Sequence, residues 1–191
     1  MKILKHEYYS PKIKEYLSNN TELNAIGDLS ILKNETLGLI SSRKCPGSVI
    51  LQFFDMLGKW RSEEITLISG FHSPLEQEAL KSLRQSRTKF IFCPARSIEK
   101  MRIKKDHQDL IEQKRLLILS PFPKEETRQT AKLANQRNKF VANIATRLLI
   151  IHASEKSQTE KLASKMPEFW TLDNSANENL LRLGGKEYNL E

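Results

Sequence analysis

The chain has 191 residues, enough for one well-buried core and too few for two full α/β domains. With 39 % hydrophobic and 28 % charged residues it has the balance of a soluble globular domain, and no apolar run reaches the length of a bilayer crossing. The net charge of +8 is concentrated: residues 1–80 carry 9 Lys+Arg against 10 Asp+Glu, residues 81–115 carry 11 against 4, and residues 116–191 carry 11 against 9, giving −1, +7 and +2.

The N-terminus, Met1 to His6, lacks the apolar core and small-residue cleavage site of a signal peptide, so a cytoplasmic location is expected. Pro11 to Leu17 reads as a short helix that ends at Asn19-Asn20-Thr21. Residues 1–35 as a whole read as an N-terminal extension packed on a core domain of residues 36–191. From there, apolar runs of strand length recur: Leu37 to Ile40, Ile65 to Ile68, Phe90 to Phe92, Leu116 to Leu119, Leu148 to Ile151, and Phe169 to Leu172. Helical segments separate them. Pro46 opens one whose Val49, Ile50, Phe53, Phe54 and Leu57 form a stripe expected to be buried. Ser73-Pro74-Leu75-Glu76 spells a capping box that starts another, running to about Arg84, and Ser157-Gln158-Thr159-Glu160 repeats the logic before Leu162. Six strands in βα alternation, continuous in apolar character, predict a three-layer α/β, Rossmann-like fold. It has a mainly parallel sheet of about six strands and helices on both faces.

In such a sheet ligands bind outside the carboxyl ends of the strands. The loops expected there are polar or basic: Ser41-Ser42-Arg43, Ser69-Gly70-Phe71-His72-Ser73, Pro94-Ala95-Arg96-Ser97, Ser120 to Pro123, and His152-Ala153-Ser154. Together they suggest a phosphate cradle, with Gly70 allowing close backbone approach. The run Asn135 to Ala145 places Arg137, Asn138 and Lys139 beside the strand that starts at Leu148. The basic segment adds Arg96, Lys100 and Arg102 on charge alone. An ordinary solvated basic face is the plain alternative for all of these.

Catalytic signals are sparse. There is no P-loop, no G-x-G-x-x-G fingerprint, no nucleophile elbow and no metal-ligand spacing, so neither cofactor nor metal is expected. Glu76 is the best-placed acid, though its capping box already explains it, and His72 and His152 border the rim as donors or proton carriers. Cys45 and Cys93 read as reduced, structural thiols; Cys45 sits before a helix start that would favour a thiolate, but no base is arranged beside it.

Read in order, these loops resemble the central domain of the DprA/Smf family of DNA-processing proteins, from about Leu37 to Gly185. Leu39-Ile40-Ser41-Ser42-Arg43 is similar to a strand ending in G-S-R, and Leu67 to Phe71 to one ending in S-G-[LFM]. Leu75-Glu76 stands where the family has Ile-Asp, and Leu119 to Pro123 resembles S-E-x-P. Arg137-Asn138-Lys139-Phe140-Val141-Ala142 resembles R-N-R-[IL]-[IV]-A, and Leu180 to Gly185 resembles L-I-x-x-G-A. Ser41 and Pro74 replace family glycines, no histidine follows Glu76, and Ser154 to Thr159 lacks a further glycine. The flanking domains of longer relatives do not resemble any part of this chain.

The resemblance implies single-stranded DNA binding through a basic pocket, a homodimer, and help in loading a recombinase during DNA uptake or recombination. It implies phosphate contact by Arg43, Ser69, Gly70, Arg137 and Lys139. Ser42, Phe71, His72 and Asn138 lie in the same loops, with Phe71 as a base-stacking candidate. A binding protein rather than an enzyme is expected. The alternatives are a nucleotide-derived small-ligand binder or nucleotide hydrolase, for which Glu76 would be the acid, and a partner protein whose loops have lost their ligand.

Overall fold

The computed structural model describes residues 2–3, 11–18 and 23–189, and the expected stop at Asn19-Asn20-Thr21 lies outside them. The order of elements is β1 (Lys2–Ile3), α1 (Pro11–Ser18), β2 (Asn24–Gly27), β3 (Leu37–Ser41), α2 (Gly47–Trp60), β4 (Thr66–Ser69), α3 (Pro74–Leu83) and β5 (Lys89–Phe92). Then come α4 (Lys105–Glu112), β6 (Leu116–Ser120), α5 (Ala131–Ile144), β7 (Arg147–His152), α6 (Gln158–Ala163), β8 (Trp170–Thr171), α7 (Glu178–Arg182) and β9 (Lys186–Glu187).

The strands form one sheet in the order β1-β2-β6-β5-β4-β3-β7-β8-β9. All neighbours from β6 to β9 pair parallel, and β1 and β2 pair antiparallel at the edge. Nine strands replace the expected six or so. The three additions, β1, β2 and β9, are two to four residues long and lack an apolar run.

The strands are apolar throughout because each alternate residue enters a different core. Ile40, Ile68, Ile91, Leu117 and Ile150 pack with Phe140, Val141 and Ile144 of α5, Ile13 of α1 and Leu162 of α6. Their neighbours Leu39, Leu67, Phe90, Leu116 and Leu149 face the other way, onto Phe53, Leu57 and Trp60 of α2, Leu75 and Leu83 of α3, and Leu110 of α4. The buried stripe of α2 is Val49, Phe53, Met56, Leu57 and Trp60. Phe54, expected in it, is instead 45 % exposed, since one step from Phe53 turns it about 100° around the helix. Among the described residues no helix is long and apolar enough to cross a membrane.

Successive strands step one way from β3 to β6, and the chain then crosses to place β7 on the other side of β3. The carboxyl ends of β3 and β7 therefore diverge at a topological switch point, the place where open α/β sheets leave a crevice. A register shift between Ile40 and Ser41 sharpens it, pairing Ser41 with His152.

Candidate functional site

Two buried charged side chains knit the strand ends together at the switch point. Arg137 projects inward from α5 and is only 4 % exposed. Its Nη1 donates to the Cys93 carbonyl at 3.1 Å and its Nε to Asn138 Oδ1 at 2.7 Å. The guanidinium lies over Gly70, where a β-carbon would come within 0.9 Å of Nη1. Burial lowers the pKa of Arg137 from its ordinary value, and the nearby negative charge of Glu76 opposes the shift.

Glu76 fulfils the capping box and does more. Ser73 Oγ accepts from the Glu76 amide, while Oε2 of Glu76 accepts from the amides of His72 at 2.9 Å and Ser73 at 3.3 Å. Its Oε1 reaches across to the Ser41 amide at 3.0 Å, tying the loop after β4 to the end of β3. At 3 % exposure and with both oxygens engaged, this carboxylate is a clamp between the two loops.

The remaining seams are similar in kind. The Ser42 amide donates to the His152 carbonyl at 2.8 Å, and Ser42 Oγ accepts from the Ser154 amide at 3.1 Å, which joins the ends of β3 and β7. His152 is buried against Asn177, with Nδ1 and Oδ1 2.8 Å apart. The Arg96 carbonyl accepts from Ser120 Oγ at 2.8 Å, which pins the loop after β5 to β6. Burial raises the pKa of both thiols, that of Cys93 to about 12, so neither is an activated nucleophile.

Above this scaffold runs a groove of connected hollows. The first, of about 430 Å³, lies over the switch point between Ser42, Arg43, Lys44, Glu76, Asn138 and Ser154. The second, also about 430 Å³, shares Arg43, His72, Asn135, Arg137 and Gln158 with it and extends to Gly70 and Ala95. The third, about 520 Å³, opens between α3 and α4 and shares Gly70, His72 and Gln129 with the second. The exposed His72 borders all three.

The structure sorts the residues singled out from sequence. Arg43 and His72 are exposed on the groove, Arg102 is exposed on the third hollow, and Arg96 and Asn138 line the walls half-buried. Ser42 lines the groove but is 8 % exposed and already bonded. Ser69 is fully buried and its Oγ accepts from the Phe71 amide, so its side chain reaches no ligand. Phe71 is 7 % exposed at φ +44°, its ring packed against Phe90 and Phe92, which corrects the expectation of a stacking platform. Gly70 admits Arg137 rather than leaving space for a phosphate. Lys100 and Lys139 are exposed and border none of the three hollows.

The basic segment is also divided. Lys81, Arg84, Arg96, Arg102 and Lys104 line the third hollow, whereas Arg87, Lys89, Lys114 and Arg115 lie at the opposite ends of the strands, where β5 and β6 begin. Lys44, Asn135 and Gln158 line the groove and were not singled out. For Asn135 a signal existed, because Ala131, Ala134, Asn135 and Asn138 follow an i, i+3, i+4, i+7 spacing on α5. Among the described residues no group of three His, Cys, Asp or Glu side chains is placed to hold a metal.

The model of the family described as DNA recombination-mediator protein A matches residues 1–167. No curated protein matches the chain. Among solved structures, DNA processing protein A (DprA) from Streptococcus pneumoniae is similar with a TM-score of 0.77 at 16 % identity, over 98 % of this chain and 70 % of that one. DNA processing protein A from Helicobacter pylori, described for its single-stranded DNA binding mode, is similar with a TM-score of 0.74 at 18 % identity, over 97 % of this chain and 89 % of that one.

Proposed function

This chain belongs to the DNA recombination-mediator protein A family, and from that membership we propose that its groove binds single-stranded DNA by the phosphate backbone. The observation that carries the reading is the continuity of the groove along the carboxyl ends of the strands. Arg43 and Lys44 line it at the switch point, and Arg96, Arg102 and Lys104 line it beyond β5. The acid at the switch point, Glu76, is turned inward onto three backbone amides, with the charge of Arg137 beside it to counter its own. The Helicobacter pylori protein of similar fold is described as binding single-stranded DNA, which supports the same ligand here.

Binding of this kind is electrostatic and tolerant of sequence, and its affinity falls with salt by about 0.7 log unit per log unit for each phosphate engaged on a single strand. Fluorescence anisotropy of labelled oligonucleotides over a salt series tests it. Absence of binding at low salt removes the proposal. The reading extends to a homodimer that helps deliver single-stranded DNA to a recombinase in uptake or recombination. Sedimentation at the 22.1 kDa of a single chain would remove the homodimer from it.

A further inference from the structure

The outward face of α2 carries an apolar stripe that neither the core nor the groove uses. Among the described residues three large hydrophobic side chains are exposed, and two of them, Leu51 at 70 % and Phe54, lie one turn apart on this helix. Gly47 and Gly58 complete the stripe, since at about 100° per residue the four positions fall within about 60° of one another around α2. Both glycines are exposed, and a β-carbon at either would meet no atom within 4 Å. Gly58 therefore weakens the helix relative to alanine, and nothing inside the chain requires it.

The stripe reads alike in both directions. Gly47 and Gly58 stand equally far from its midpoint, between Gln52 and Phe53, and so do Leu51 and Phe54. A face with that symmetry complements itself when reversed, which is what a two-fold contact between copies requires. Charge favours the same occupant. The chain holds 31 Lys+Arg, yet none lies between Gly47 and Gly58, so two chains of net charge +8 can meet there. Lys59, next along the helix, lies about 100° off the stripe. The polar residues beside it are already engaged: Ser48 Oγ donates to Asn174 Oδ1 at 3.2 Å, and Gln52 Nε2 donates to the Asp173 carbonyl at 3.0 Å. The face is thus preformed and costs little to order on contact.

We infer that α2 is an interface between two copies of this chain, docked antiparallel so that Leu51 of each meets Phe54 of the other. Gly47 then faces Gly58 of the second copy, and the missing side chains let the helix axes approach closely. The inference rests on the homodimer proposed above and names the face that forms it. A contact along one helix of about 21 Å is smaller than a standard interface, so the pair forms in the micromolar range or weaker. Lys44 and Arg61 come level only beyond the ends of the stripe, where salt screens them.

Sedimentation equilibrium of the full chain over a concentration series tests the interface. Leu51→Lys and Phe54→Glu, both at exposed positions, are each expected to weaken the dimer at least about ten-fold, because each puts a charge against an apolar side chain. An equimolar mixture of the two variants is expected to recover a heterodimer. In it the new lysine meets the new glutamate at one contact, while Phe54 meets Leu51 at the other. A wild-type dimer that neither variant weakens lies on another face; that result overturns the inference and leaves the homodimer standing. Weakening by both variants with no recovery in the mixture overturns the antiparallel pairing. A wild type that stays at 22.1 kDa up to about 1 mM removes interface and homodimer together, and leaves DNA binding to its own titration.

Discussion

Arg137 and Gly70 are steric complements: the guanidinium of one occupies the space a side chain would fill on the other, with Nη1 0.9 Å from where a β-carbon would stand. Gly70→Ala therefore displaces the guanidinium and strips the Cys93 carbonyl of its donor. A hydrogen bond to a charged group lost in the interior costs about 1–3 kcal/mol. Arg137→Ala loses the same bond, so the two substitutions are expected to be strongly non-additive in a double-mutant cycle. Urea denaturation of the wild type, both singles and the double measures this. Full additivity would show that the two positions are not coupled.

Glu76 holds three amides from two loops, and an amide side chain cannot reproduce that because one of its oxygens becomes a donor. Glu76→Gln is expected to destabilise by about 1–3 kcal/mol. Faster hydrogen exchange should appear at the Ser41 or His72 amide while the amides of β5 and β6 stay protected. Exchange spread evenly over the sheet would contradict a local clamp.

How much of this could be read in the chain follows from what each signal encodes. Apolar runs such as Leu116 to Leu119 and Leu148 to Ile151 announced their strands because both faces are covered. Asn24–Gly27 carries no such run, and it is held by antiparallel pairing to β6, a relationship between distant residues. At the site, position along the chain placed Arg43 and His72 at strand ends correctly. It could not say where a side chain points: Arg137 and Lys139 are two residues apart, about 200° around α5, and one is buried while the other is exposed. The charge count placed Arg96 and Arg102 on the groove but not the whole segment, for a related reason. Residues 81–115 run from α3 through β5 and α4 to the start of β6, so their cations serve both ends of the sheet.

His107 supplies a pH dependence. Burial lowers its pKa from the ordinary value of 6.5, Lys104 and Arg84 add to the effect, and Asp106 opposes it. The unfolded chain thus takes up a proton at a higher pH than the folded one. The stability tied to His107 is fully present above about pH 6.5 and is lost as pH falls below it. Denaturation midpoints between about pH 5 and 8 should decline on the acid side for the wild type. His107→Gln should flatten that part of the profile, and an identical decline in the variant would assign it to other groups.

Charge position, rather than total charge, should govern nucleic-acid binding. Arg43 is exposed on two connected hollows of the groove, whereas Arg87 is paired with Glu64 at 3.1 Å before β5, at the far end of the parallel strands. Both substitutions to alanine remove one positive charge. Arg43→Ala is expected to weaken single-stranded DNA binding and to lower the salt slope by about 0.7, the release expected from one phosphate contact. Arg87→Ala should change affinity by no more than about two-fold at physiological salt, where the Debye length is about 8 Å and a distant exposed charge is screened. Salt titrations of the two variants beside the wild type decide the matter. If both weaken binding alike, the protein attracts DNA through its overall positive charge and the groove has no privileged role.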